Sequence, residues 1–68
     1  MSNTIQLNGK PHTIEPDTSV ADLVAALGLA DQAVAVEVNK KLVTKSRHTE
    51  TPLSEGDQVE VVTLVGGG

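Results

Sequence analysis

Apolar and polar residues alternate at the start of the chain, and this pattern predicts a β-hairpin. Ile5 and Leu7 alternate with polar neighbours, and Ile14 continues the apolar face beyond Asn8-Gly9. Asn-Gly tolerates the positive φ angles of a tight two-residue turn, so it is a strong hairpin signal between two short alternating runs. We therefore expect the first two strands to be antiparallel neighbours.

The stretch "DTSVADLVAALGL" predicts an α-helix. Ser19 is a favourable N-cap, and Asp22 three residues later can complete a capping box. Gly28 stands where a left-handed residue would end the helix. At about nine or ten residues this helix would be marginal alone, so it must pack against a sheet. Its apolar residues follow the helical spacing i, i+3, i+4 and i+7: Val20, Leu23, Val24 and Leu27.

The second half of the chain predicts three more strands. "AVAVEVN" places Val34, Val36 and Val38 on one face, and "KLVTKS" can form a short strand that carries Leu42 and Val43. "HTETPLSEGDQ" has the composition of a connecting loop, and "QVEVVTLV" is the last strand. The order β-β-α-β-β-β predicts an α+β fold of the β-grasp (ubiquitin-like) type. In it one main helix packs across a small mixed sheet, with the last strand lying centrally beside the first.

The last strand becomes apolar on both faces near its end. Val59, Val61 and Thr63 alternate with Glu60, Val62 and Leu64. Either neighbouring strands or the segment of Leu42 and Val43 cover Val62 and Leu64, or these two side chains form an exposed apolar patch that docks a partner. The pattern of this strand alone leaves both interpretations open.

Three glycines follow, and we divide the chain into a domain of residues 1–65 and a flexible tail of residues 66–68. Gly66, Gly67 and Gly68 have no side chains, so extended they reach roughly 10 Å through a tunnel too narrow for a Cβ atom. The Gly68 carboxylate, delivered into a partner's active site, can there be activated as a mixed anhydride with AMP. The tail is then the working part of the molecule.

Composition and charge favour a carrier over an enzyme. The chain has no cysteine and no Phe, Tyr or Trp, and its net charge is −4. We therefore expect no nucleic-acid or membrane partner, no bound cofactor or metal, and no catalytic residue. His12 and His48 are expected to face solvent, and the basic segment "KKLVTKSRH" to be a solvated loop. Since the N-terminus does not resemble a signal peptide, we expect a cytoplasmic protein.

The β-grasp order, the step "N…LV" after the third strand and the frame "GDQVEVV…VGGG" resemble the ThiS family of sulfur carriers across the whole chain. The resemblance implies a carrier in thiamine biosynthesis whose terminal glycine, here Gly68, is adenylated with ATP by an E1-like enzyme of the ThiF type. It becomes a thiocarboxylate with sulfur from a sulfur-donating enzyme. A thiazole synthase of the ThiG type then uses that sulfur to form the thiazole ring. Gly67 would accompany Gly68 into the partner, and Leu64 stands near a place where that family often has an aromatic residue.

Other functions remain compatible with the same fold and tail. The small subunit of molybdopterin synthase and the carriers of tRNA thiolation use the same chemistry with other partners. A ubiquitin-like modifier would join its tail to target lysines and give covalent adducts of higher mass. A plain β-grasp binding module would be unaffected by deletion of Gly68.

Overall fold

Residues 1–64, which the computed structural model describes, form a five-stranded mixed sheet with one α-helix packed across it. The sheet order is β2-β1-β5-β3-β4, in which β1 and β5 are parallel and the other neighbours are antiparallel. The β-grasp prediction is confirmed, including the central place of the last strand. The elements are β1 (Asn3–Leu7), β2 (Lys10–Ile14), α1 (Val20–Ala26), β3 (Val34–Val38), β4 (Lys41–Val43), a 3₁₀ helix (Lys45–Glu50) and β5 (Gln58–Thr63).

The first hairpin forms as predicted. Leu7 lies opposite Lys10, so Asn8 and Gly9 make a two-residue turn. Both have positive φ, 51° at Asn8 and 83° at Gly9, which matches the right-handed twist of the two strands. Pro11 lies in β2 at the edge of the sheet. Its lack of an N–H is tolerated there, because no further strand requires a hydrogen bond from it.

Helix α1 is capped as predicted but is shorter, with seven residues. The Ser19 hydroxyl accepts a hydrogen bond from the Asp22 N–H at 3.0 Å, and the Asp22 carboxylate accepts one from the Ser19 N–H at 3.0 Å. Both bonds lower the pKa of Asp22 below its usual value, and the bond from the Ser19 backbone has the larger effect. Leu27 serves as the C-cap, and Gly28 ends the helix in the left-handed region with φ 76°.

The core lies between α1 and the inner face of the sheet, and it is entirely aliphatic. The predicted common face of Val34, Val36 and Val38 is the inner face of β3, since Val36 is fully buried and Val34 and Val38 pack against the core. Every element except β4 and the 3₁₀ helix supplies a buried apolar residue. The buried apolar residues are Ile5, Ile14, Val20, Leu23, Val24, Val36, Leu53, Val59 and Val61.

The segment predicted as a plain connecting loop is more ordered than its composition suggested. Its first residues belong to the 3₁₀ helix, and Leu53 is buried in the core. The Thr51 carbonyl accepts from the Val20 N–H, and the Leu53 N–H donates to the Thr18 carbonyl, each at 2.8 Å. These bonds fasten the segment along the start of α1. The loop prediction holds for residues 51–57, but it missed the 3₁₀ helix and the burial of Leu53, because one leucine among polar residues gives no periodicity.

Both histidines differ from the solvent-facing prediction. His48 is only 6% exposed, and its Nε2 lies 3.1 Å from the Val43 carbonyl oxygen, which gives the buried imidazole a polar partner. His12 lies opposite Ile5 in the β1–β2 register and is half-buried. The basic residues of the "KKLVTKSRH" segment are exposed as predicted, but they belong to the β3–β4 turn, β4 and the 3₁₀ helix: Lys40, Lys41, Lys45 and Arg47.

Candidate functional site at the end of β5

Strand β5 carries the chain towards the predicted tail. It lies between β1 and β3, so its first half is paired on both sides. Thr63 is its last residue, and the Leu64 N–H continues the ladder by donating to the Ala33 carbonyl at 2.9 Å. The predicted working residues Gly66, Gly67 and Gly68 lie outside the described residues. The described part of the site is the platform that precedes them, which consists of β5 and the turns that hold it.

An asparagine holds the start of β5 from the side of β3. Asn39 has a φ of 52° in the turn between β3 and β4, and its backbone N–H donates to the Gln58 carbonyl at 2.7 Å. Its side-chain oxygen accepts from the Gln58 N–H at 3.0 Å. Its amide nitrogen donates to the Asp57 carboxylate at 3.1 Å. Asn39 thus pairs with Gln58 almost as a strand residue would.

A second asparagine holds the later part of β5 from the opposite side. β1 pairs with β5 only as far as Leu7 and Val59. The side chain of Asn8 then replaces the missing strand, because its oxygen accepts from the Val61 N–H at 2.9 Å and its nitrogen donates to the Val61 carbonyl at 3.2 Å. The Asn8 backbone N–H also donates to the Val59 carbonyl at 2.8 Å. Two turns therefore fix β5 from both sides with the same residue type.

The turn that leads into β5 is fixed by its own acidic residues. Gly56 has a φ of 85° and donates its N–H to the Thr4 carbonyl at 2.8 Å, while the Glu55 carboxylate accepts from the Thr4 N–H at 2.8 Å. The Asp57 carboxylate accepts from the Ser54 N–H at 2.8 Å. The "EGDQ" sequence is thus a structural turn that joins the start of β1 to the start of β5.

The outer face of β5, which points away from α1, is apolar near its end. Val62 and Leu64 are each 55% exposed, so the interpretation in which neighbouring strands cover them is wrong. The register explains why: Val62 lies opposite Ala35, and the Leu64 N–H bonds to Ala33, so both face small side chains. We call Val62 and Leu64 with these two alanines the outer apolar patch.

Acidic and apolar residues adjoin the outer apolar patch on the same face. Glu37 and Glu60 lie directly opposite each other in the β3–β5 register, and both are exposed. Leu42 lies opposite Glu37 on the other side and is 64% exposed. Like charges in this position destabilise a sheet slightly, while a partner with basic side chains would relieve the repulsion.

Residues 1–64 present an exposed apolar surface at the end of β5. Within that range there is no group of three or more His, Cys, Asp or Glu side chains that could hold a metal ion. Over the same residues, no helix has the length and apolar character needed to cross a bilayer. The geometry provides a firmly held strand whose exposed apolar end comes just before residues 65–68 in the sequence.

Comparison with known proteins decides the family. The sequence model of the ThiS family matches residues 5–68. The chain belongs to the ThiS family. This ThiS-family chain is 42% identical over 65 residues to the sulfur carrier protein ThiS of Bacillus subtilis. The matched region covers 94% of this chain and 98% of that protein. The crystal structure of the thiamine biosynthesis protein ThiS from Geobacter metallireducens has a TM-score of 0.80 and 32% identity, with 96% and 99% of the two chains covered.

A second kind of ThiS-family relative is much longer. The thiazole synthase of Magnetococcus marinus is 45% identical over 64 residues, which cover 94% of this chain but only 20% of that protein. The ThiS-family chain therefore resembles one part of a larger protein there. The predicted family is confirmed.

Only part of this platform was predictable from the sequence. It named Val62 and Leu64 as candidates but missed Asn8 and Asn39 as the residues that hold β5. Each asparagine stands at a turn and tolerates positive φ, which was recognised for Asn8. Each asparagine also bonds to a distant residue of β5, 53 positions away for Asn8 and 19 positions away for Asn39. No local sequence pattern predicts a contact over such a separation.

Proposed function

We propose that this ThiS-family chain is a sulfur carrier of thiamine biosynthesis that bears its sulfur as a thiocarboxylate on Gly68. The observation that carries the proposal is the family match, which extends through residue 68 and so includes all three glycines. The Bacillus subtilis relative, which this chain covers almost completely, is itself a sulfur carrier protein. A narrow glycine tail behind a firmly held strand suits delivery of a terminal carboxylate into another protein.

The loading chemistry uses the partner's active site. In an E1-like enzyme of the ThiF type, a Gly68 carboxylate oxygen attacks the α-phosphorus of ATP, which gives an acyl-adenylate and releases pyrophosphate. Hydrosulfide, or an equivalent nucleophile from a sulfur-donating enzyme, then attacks the acyl carbon. AMP leaves with the oxygen that had joined it to the acyl group, and the thiocarboxylate remains. The carrier binds no cofactor of its own in this scheme, and ATP belongs to the activating enzyme.

The sulfur acceptor in this proposal is a thiazole synthase of the ThiG type. Two thiazole synthases, from Magnetococcus marinus and Paramagnetospirillum magneticum, contain a region similar to 94% and 91% of this chain. A carrier sequence within the same protein as the synthase supports a functional association of the two activities. We expect the separate carrier to act in the cytoplasm, where ATP is available.

The body of the carrier contributes recognition. Val62 and Leu64 lie on the face next to the tail, and their exposure leaves apolar area for a partner to bury. The asparagines at Asn8 and Asn39 keep β5 in place while the tail is inserted. We propose that the activating enzyme docks on the outer apolar patch.

Reconstituted loading tests this function. The carrier is incubated with ATP, the E1-like enzyme and a sulfur source, and intact-mass spectrometry is expected to show one oxygen replaced by one sulfur at Gly68. Deletion of Gly68 is the control that should abolish the change. Gly67→Ala should impair loading while the melting temperature stays near that of the wild type. Absence of the mass change with an enzyme that still exchanges pyrophosphate into ATP contradicts the proposal, and covalent adducts on lysines would favour a protein modifier.

A further inference from the structure

The part of β5 that follows its contact with Asn8 forms an edge of the sheet on the β1 side. β1 pairs with β5 through Gln6 and Leu7, and the side chain of Asn8 then occupies the position beside Val61. Thr63 lies two residues further along β5. In residues 1–64 its strand partner is Val34 of β3, on the other side.

The hydrogen bonds of β5 show where the Thr63 backbone points. The carbonyls of Asp57 and Val59 accept from β1-side residues at 2.9 and 2.8 Å, and Val61 bonds to Asn8. The intervening residues bond towards β3, as the Leu64 N–H does to Ala33. Because the two sides alternate along a strand, Thr63 directs its N–H and C=O to the β1 side, beyond Asn8.

The other two edges of the sheet have features that discourage pairing, whereas this one does not. At the β2 edge, Pro11 lacks an N–H and follows Lys10. β4 has three residues and begins with Lys41. The segment at Thr63 carries neither a charge nor a proline, and both of its neighbours, Val62 and Leu64, are exposed apolar residues. Natural sheets usually protect such an edge unless a partner uses it.

We propose that an extended segment of the activating enzyme pairs with β5 at Thr63 and adds a strand to the carrier's sheet beyond Asn8. This rests on the proposed function. Four residues, 65–68, follow Leu64 in the sequence and span at most roughly 14 Å when extended. An enzyme that receives Gly68 must therefore reach close to Thr63, and a paired strand would guide the tail. Backbone bonds supply affinity in this mode, and the side chains on alternate positions contact Val62.

A proline substitution at Thr63 tests this edge without removing a hydrogen bond from the rest of the sheet. Thr63→Pro removes an N–H that makes no bond to β3, so the fold should be kept, whereas Val62→Pro removes a ladder donor and should unfold the domain. Thr63→Val keeps the N–H and changes only the side chain. We expect Thr63→Pro to raise the KM for the carrier in adenylation about tenfold more than Thr63→Val does. Equal KM values for the two variants would overturn the proposal.

Amide hydrogen exchange tests the same edge in the wild-type protein, which covers the case in which Thr63→Pro does not fold. The Thr63 amide should exchange quickly in the isolated carrier and become protected when the activating enzyme is added. Protection in the isolated monomer, or none in the complex, overturns the proposal. Protection that rises with carrier concentration alone means that a second copy occupies the edge, and also overturns it. A carrier that binds the enzyme with Thr63 protected but is never loaded contradicts the proposed function instead.

Discussion

Adjacent residues of β5 have opposite environments, and the contrast separates stability from recognition. Val61 is 8% exposed on the inner face, while Val62, the next residue, is 55% exposed on the outer face. The inner face packs under α1 with Val59 and Val36, whereas Val62 and Leu64 on the outer face lie opposite alanines on β3. The same strand therefore holds the domain together with one face and leaves the other exposed, just before residues 65–68 in the sequence.

The largest expected effect comes from placing the same charge on each face in turn. Val59→Asp buries an unpaired carboxylate and should cost about 3–5 kcal/mol, the whole stability expected of so small a core. Val62→Asp should leave the melting temperature nearly unchanged and reduce loading by the activating enzyme. Thermal unfolding and intact-mass loading assays measure the two effects. Similar unfolding by both variants would contradict the division between the faces.

The asparagines that hold β5 should give the next largest effect. Asn8→Gly and Asn39→Gly keep residues that accept positive φ but remove the side-chain bonds to β5, so each should cost about 1–2 kcal/mol in the free energy of unfolding. Chemical denaturation measures this loss. Asn8→Gly should also speed amide exchange at Val61, which loses its acceptor, and Asn39→Gly should do so at Gln58. If the exchange rates at both amides stay at their wild-type values, the side chains do not hold the strand.

The helix that covers the inner face should show a smaller effect. Ser19→Ala removes the N-cap and should cost about 1 kcal/mol. Since the folded state lowers the pKa of Asp22, its contribution is present above the usual aspartate pKa and is lost as the pH falls through the lowered value. Denaturation at several acidic pH values should therefore show a smaller loss of stability in Asp22→Asn than in the wild type. An unchanged pH dependence would mean that the capping box does not contribute.

The smallest effect should come from the acidic pair on the outer face. Glu60→Lys replaces repulsion from Glu37 by attraction and should stabilise the domain by about 0.2–1 kcal/mol. The gain should decrease at high salt, because both side chains are exposed. Glu60→Gln, which only removes the repulsion, should give an intermediate melting temperature. A destabilised Glu60→Lys protein would contradict the assigned register of charges.

The fold was predictable where a local pattern specified it. Asn8-Gly9 specified the hairpin, Ser19 and Gly28 marked the ends of α1, and the alternation in β5 placed Val59 and Val61 on one face. Long-range contacts were not predictable in the same way. Leu53 entered the core and His48 became buried through a segment with no periodicity, and the exposure of Val62 depended on the alanine opposite it.

The candidate site was predictable only as far as its sequence position. Val62 and Leu64 were identified, but the choice between covered and exposed needed the β3–β5 register. The bonds from Asn8 and Asn39 to β5 needed the order of strands in the sheet. The family resemblance is confirmed, while the roles assigned to Gly66, Gly67 and Gly68 stay predictions.

The intact mass of the protein isolated from its own cells tests the central claim most directly. Growth without external thiamine should favour the loaded form, so the account predicts a population that ends at Gly68 with one oxygen replaced by sulfur. Alkylation of the thiocarboxylate before analysis should shift that population alone. A protein that carries only an ordinary carboxylate under thiamine limitation, or one joined to other proteins through Gly68, would contradict the account.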